Sequence, residues 1–107
     1  MTKSDVCTLL EVTYRMDAYG VMRPEAARTK RFCKVRSASA QEFFEAGQQG
    51  IKPQYQITML RAEYSGQQMV EYKGKRYAVY RTYESNADEV ELYLEERVNE
   101  KRGASQN

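Results

Sequence analysis

Histidine does not occur in the 107-residue chain, and the two cysteines are Cys7 and Cys33. Without histidine, a Ser-His or Cys-His nucleophile pair cannot be built, and a metal site would need carboxylates alone. The two cysteines lie far apart in a chain without a secretory signal, so we interpret them as small buried residues rather than as a disulfide. We therefore expect no catalytic site, no metal and no cofactor.

Long apolar runs are missing as well. No run of about 18 apolar residues could span a membrane, and the apolar segment 6–10 is closed by Glu11 before it reaches the length of a signal peptide's apolar region. We expect the protein to stay in the cytoplasm where it is made, with no membrane partner. With 41% hydrophobic and 30% charged residues, a chain of this length has the composition of one globular domain.

Excess charge of one sign is small, since the net charge is only +2. That is too little to drive strong binding to a phosphate backbone by bulk charge. The charges are nevertheless separated along the chain: residues 21–36 contain six bases and one acid, whereas residues 84–100 contain seven acids and one base. The bases, here called the basic cluster, are Arg23, Arg28, Lys30, Arg31, Lys34 and Arg36. We expect the cluster to contact an acidic surface of a neighbouring copy or partner. The alternative is that the basic and the acidic residues form two solvated faces of a monomer.

Alternation with a period of two predicts the strands. It is found at residues 6–14, 29–36, 55–64, 69–72, 75–84 and 90–95. A turn at residues 17–20 and a polar connection through Pro24 to about Arg28 separate the first two. Six strands with short turns in so short a chain predict a small closed or nearly closed β-barrel, mainly β in class, within a single domain at residues 1–100. The polar tail, 101–107, is predicted to be disordered.

One short helix is predicted in the loop between strands 2 and 3. Ser39 and Glu42 have the spacing of a capping box, and residues 40–46 are good helix formers. Phe43 and Phe44 are adjacent and point about 100 degrees apart, so a short helix can bury both only if neighbours enclose it. They either anchor the helix on the barrel or contact another subunit.

Several short segments combine into a resemblance. They are EFFEAGQ at 42–48, YKGKRY at 72–77, RTY at 81–83 and ELY at 91–93, with the turn DAYG at 17–20. Their order and spacing resemble those of the head-closure, or head–tail joining, proteins of long-tailed bacteriophages. The similarity covers about residues 9–97.

The resemblance implies a structural protein of the virion, assembled in the host cytoplasm. It implies a ring of copies, dodecameric in the virion, between the portal and adaptor rings and a tail-completion or tail-terminator protein, with packaged DNA in its channel. In relatives that act as stoppers, the loop after the second strand closes that channel, and by position this loop is residues 37–54. The residues expected to plug the channel or to contact a neighbouring subunit are Ser39, Gln41, Glu42, Phe43, Phe44, Gln48, Gln49 and Lys52.

Two other interpretations remain open. Nine tyrosines together with the basic cluster are also typical of a nucleic-acid-binding barrel of the oligonucleotide-binding type, in which aromatic side chains stack on bases. The second interpretation is a neighbouring ring protein, such as a tail-completion or tail-terminator protein. Because the chain is polar and nearly neutral, we expect the purified protein to be a monomer that assembles on a template.

Overall fold

The structure, a computed structural model, describes residues 4–96. Within that range six antiparallel strands form a closed barrel in the order β1-β2-β3-β6-β5-β4. The strands are β1 (Asp5–Met16), β2 (Met22–Ser37), β3 (Pro53–Leu60), β4 (Met69–Tyr72), β5 (Lys75–Tyr83) and β6 (Glu89–Glu96), with helix α1 (Ala40–Gly47) and a 3-10 turn (Arg61–Glu63). The predicted fold class, a six-stranded barrel with one helix between strands 2 and 3, is confirmed. The predicted tail at 101–107 lies outside the described residues.

The core is formed by the inward side chains of the alternating strands. Cys7, Leu9, Cys33, Ile57, Met59, Val70, Leu92 and Leu94 are almost completely buried. Each large apolar side chain of this kind stabilises the fold by roughly 1.5–3 kcal/mol. The prediction that both cysteines are small buried residues is confirmed, as is the inward alternation of β6.

Aromatic rings add to this core from three strands. The ring of Tyr55 packs edge-on against those of Tyr72 and Tyr77, with centroids 5.3 and 5.4 Å apart. Tyr72 and Tyr77 are themselves buried. Because edge-to-face packing at this distance is favourable, these three tyrosines serve the core and are not available to stack on a ligand.

The connection predicted through Pro24 to about Arg28 is wrong, because these residues belong to β2. In the described part of the chain, β1 pairs with β4 only at residues 8–10 and β2 with β3 only at residues 34–37, whereas β1 pairs with β2 over its whole length, residues 5–16 with residues 22–33. Residues 11–27 therefore form a two-stranded ribbon that extends beyond the barrel, here called the distal hairpin. Pro24 is tolerated in a strand here because the outer edge of β2 has no neighbour at this point.

The turn of the distal hairpin is closed by one carboxylate. Asp17 accepts hydrogen bonds from the backbone N–H groups of Tyr19 and Val21, at 2.8 and 2.9 Å, and from Nε of Arg23 at 2.7 Å. Arg23 and these N–H groups hold the pKa of Asp17 below its usual range. Gly20, with φ of 79°, supplies the left-handed backbone that the turn requires.

Candidate functional site

The segment between β2 and β3 begins with a firmly held helix. The backbone N–H of Glu42 donates to Oγ of Ser39 at 3.1 Å, and the backbone N–H of Ser39 donates to the Glu42 carboxylate at 2.9 Å, so the predicted capping box is confirmed. The guanidinium of Arg36, at the end of β2, donates to both carboxylate oxygens of Glu42 at 2.9 and 3.2 Å. The bond from Arg36, followed by those from Ser39, lowers the pKa of Glu42, and the bond to Glu42 raises the pKa of Arg36. The first turn of α1 is thus tied to the barrel through Glu42.

The two phenylalanines of α1 face solvent. Phe43 is 48% exposed and Phe44 is 70% exposed, and none of the eight described residues of α1 is buried. The interpretation in which both anchor the helix on the barrel is therefore wrong. Covering either ring would be favourable by roughly 2 kcal/mol. Both rings are apolar surface that residues 4–96 leave uncovered.

The remaining predicted residues of this segment lie around α1 without converging on one point. Nε2 of Gln41 donates to Glu45 at 3.1 Å, and Gln48 ends the helix. The carbonyl of Lys52 accepts a hydrogen bond from the backbone N–H of Glu96 at 3.1 Å, which returns the chain to the sheet. Gln49 lines an open groove of about 300 Å³ between α1 and β5 with Glu42, Glu45, Ala46, Ile51, Tyr80 and Arg81. The segment is a surface, not a cavity with convergent polar groups.

One buried aromatic side chain on the outer face of β6 was not predicted from the sequence. Tyr93 is buried although it lies on the outer side of β6. Its hydroxyl donates to Glu91 at 2.7 Å, and the Arg81 guanidinium lies 4.7 Å from its ring centroid. Burial, followed by the bond to Glu91, raises the pKa of Tyr93 to about 12. The sequence signal was a large aromatic at an outward position of an otherwise acidic face.

The basic cluster is not one surface. Three of its members pair with carboxylates of the same chain: Arg23 with Asp17, Arg28 with Glu71 and Arg36 with Glu42. Arg31 lies opposite Cys7, half-buried, and its Nε is buried with no hydrogen-bond partner among the described atoms. Lys30 and Lys34 remain exposed on the outer face of β2, on either side of Phe32, which is 67% exposed. The alternation of the strand divides the predicted cluster into paired, half-buried and exposed bases.

The distal hairpin has two chemically different faces. On one face the cross-strand pairs are Val12 with Ala26, Tyr14 with Pro24 and Met16 with Met22; on the other they are Glu11 with Ala27, Thr13 with Glu25 and Arg15 with Arg23. The four large side chains of the first face are 53% to 64% exposed. An exposed ribbon with one apolar face is typical of an interaction surface. The first strand of the hairpin follows the alternation seen in the sequence. Its second strand was not predicted, because it contains Pro24.

Cys7 and Cys33 form a thiol pair inside the barrel. Both are free and buried. The hydrogen bond that they share lowers the pKa of Cys7, and the same contact together with burial raises the pKa of Cys33. The pair is a packing feature shielded from solvent.

Residues 4–96 contain no group of three or more histidine, cysteine, aspartate or glutamate side chains placed to hold a metal ion. No helix in that same range is long and apolar enough to cross a membrane. Compared with protein-family models and with curated proteins, the chain matches none.

Proposed function

We propose that this chain is a structural head-closure protein of a tailed bacteriophage or prophage. Copies form a ring under the portal and adaptor rings, close the DNA channel and provide the attachment site for the tail. The observation that carries the proposal is the segment between β2 and β3: a capped helix, tied to the barrel by Arg36 and Glu42, that presents Phe43 and Phe44 to solvent. A barrel that displays apolar side chains on a fixed loop is suited to a contact with other subunits.

The mechanical role of the segment follows from how it is joined to the barrel. The N-terminal end of α1 is held by the capping box and the ion pair of Glu42, whereas the C-terminal end leads into Gly47 and into Gly50, which has φ of 79°. One end is fixed and the other contains residues with few backbone restrictions. Such a segment can be ordered by a neighbouring copy, by the adaptor or by the tail protein, and re-oriented when DNA leaves. In this proposal the protein resides at the neck of the virion, after assembly in the host cytoplasm, and acts without chemistry.

Reconstitution of tail joining tests the proposal. Heads that are filled with DNA but lack this protein are incubated with the purified chain and then with tails. We expect the chain to restore DNA retention and tail attachment, and we expect the double variant Phe43→Ser, Phe44→Ser to lose this activity while it stays folded. Tyr83→Ser, which changes a ring that is 53% exposed on β5, is the matched control. Heads that join tails equally well without the chain would refute the proposal.

The alternative function, a nucleic-acid-binding barrel, is favoured by one arrangement. Phe32 is exposed on β2 between Lys30 and Lys34, and an aromatic ring flanked by bases can stack on a nucleotide while the bases contact phosphates. Fluorescence anisotropy with a labelled single-stranded oligonucleotide separates the two functions. Tight binding that weakens steeply with salt and is lost in Phe32→Ala would favour the alternative. Under the head-closure proposal, Phe32→Ala leaves tail joining intact.

A further inference from the structure

The apolar face of the distal hairpin is exposed over most of its area. Val12, Tyr14, Met16 and Met22 are 54%, 64%, 64% and 53% exposed. Together they present on the order of 400 Å² of apolar surface, and contiguous patches of that size on a monomer are often functional. The face lies on a ribbon beyond the barrel, and none of residues 4–96 buries it.

A second exposed apolar surface lies on α1. Helix α1, with Phe43 and Phe44, packs near β3 and borders the groove beside Tyr80 and Arg81 of β5. The hairpin surface is carried by β1 and β2, so the two surfaces share no element of the fold.

The charges beside the two surfaces are complementary. Lys30 lies on the same face of β2 as the apolar side chains of the hairpin, since it pairs with Thr8 in the register that pairs Ala26 with Val12. Next to Phe44, the Glu45 carboxylate accepts a hydrogen bond from Gln41 and forms no salt bridge within the described range. The hairpin surface thus has an exposed base, Lys30, on its own face of β2, beyond Arg28, which is paired with Glu71, and the phenylalanine surface has the acid Glu45 beside it.

We infer that the apolar face of the distal hairpin of one copy packs on Phe43 and Phe44 of the next copy, with Lys30 of the first near Glu45 of the second. A contact between two different surfaces of a subunit is head-to-tail, and it generates a ring when the rotation between copies closes. The closure of this contact into a ring rests on the proposed function, whereas the contact between two copies does not. The hairpin face is smaller than the roughly 800 Å² per partner of a stable interface, so it is expected to be weak unless a template holds the copies together.

Disulfide trapping between two variants in concentrated solution tests this contact without phage components. Tyr14→Cys chains are mixed with Phe44→Cys chains and oxidised, and we expect the mixed dimer to form several-fold faster than with Thr13→Cys, which lies on the opposite face of the hairpin. Lys30→Glu in the Tyr14→Cys chain should slow the reaction, and Glu45→Lys in the Phe44→Cys chain should restore it. Unchanged thermal unfolding confirms that each variant is folded.

Three results would overturn the inference. Equal rates for Tyr14→Cys and Thr13→Cys would mean random collision. Faster coupling of Tyr14→Cys to itself than to Phe44→Cys would mean that two hairpins pair with each other. Cosedimentation of the unmodified chain with phosphatidylglycerol vesicles, abolished by Tyr14→Ser, would mean that the face binds lipid. If trapping succeeds but the chain does not restore tail joining, the contact stands and the proposed function fails.

Discussion

Among single residues, Glu42 has the most contacts in the segment between β2 and β3. Its carboxylate accepts from the backbone N–H of Ser39 and from the guanidinium of Arg36, and its own N–H donates to Ser39. Because α1 contributes no buried residue, its stability depends on these polar contacts more than on burial. A change at this one position should therefore affect the helix and spare the barrel.

We expect Glu42→Ala to loosen α1 by about 1 kcal/mol, because it removes the acceptor of the Ser39 N–H and a partly exposed ion pair with Arg36, while Oγ of Ser39 still caps the helix. Glu42→Gln keeps an acceptor for the capping box and should cost about half as much. Amide hydrogen exchange in residues 42–47 measures the effect, with exchange in β6 as the internal control. Unchanged protection of α1 in Glu42→Ala would contradict this account.

The same carboxylate predicts a dependence on pH. Its pKa in the folded protein lies below the ordinary value of 4.5, chiefly because of Arg36, so the stabilisation is fully present above pH 4.5 and is lost as the pH falls through the lower folded value. Protection of α1 should decline in acid below pH 4.5, and Glu42→Gln should remove this decline. A decline of equal size in Glu42→Gln would mean that other carboxylates cause the loss of protection.

The thiols of Cys7 and Cys33 provide a direct measure of how closed the barrel is. Both side chains are at most about 1% exposed. We expect neither to react with an aromatic disulfide reagent during the time in which the denatured chain reacts completely, because a buried thiol is reached only after opening. Thr13→Cys, exposed on the distal hairpin, should react at once and serves as the control. Rapid reaction of the native thiols would mean that the barrel opens at β1 and β2.

At the scale of elements, the alternation of apolar and polar residues predicted six barrel strands, and the capping box predicted α1. The alternation extended β3 too far, to residue 64, because Arg61–Glu63 form a 3-10 turn. It also missed the first half of β2, because Pro24 ordinarily interrupts a strand, and only the strand pairing shows that this edge has no neighbour. The candidate site was predictable in part. Ser39 and Glu42 could be found from their spacing, but the exposure of Phe43 and Phe44 depends on where α1 packs, which no local pattern encodes.

The segment between β2 and β3 can be removed as a unit. Replacing residues 41–52 by a short glycine-serine link should leave a folded barrel, because α1 has no buried residue. The shift in free energy of unfolding should stay within a few kcal/mol, measured by thermal and urea unfolding. Phage particles made with this variant should leak DNA or fail to join tails.

Two outcomes would contradict the account of this segment. Global unfolding of the variant would mean that Phe43 and Phe44 stabilise the barrel. Normal infectious particles would remove the segment from any essential role. The variant Gln48→Ala, which changes an exposed position of the same segment, controls for the effect of expressing a mutant chain.

At the scale of the whole molecule, residues 4–96 form a closed barrel in which long free strand edges remain on β1 and β2, mostly in the distal hairpin, and the chain has a small net charge. Closure limits uncontrolled association through strand edges, and the hairpin surface alone is too small for a stable complex. We expect sedimentation to show a monomer at micromolar concentration, with rings appearing only on a portal and adaptor assembly. A stable ring without a partner would contradict this.

The most direct test of the proposed function is a cryo-electron microscopy reconstruction of the neck of a virion that encodes this chain. The account predicts a ring of copies under the portal and adaptor, with each barrel fitted by this structure, residues 37–54 at the channel or against the neighbouring copy, and the distal hairpin reaching the next subunit. A neck in which that ring consists of another protein, or virions that lack this chain, would contradict it.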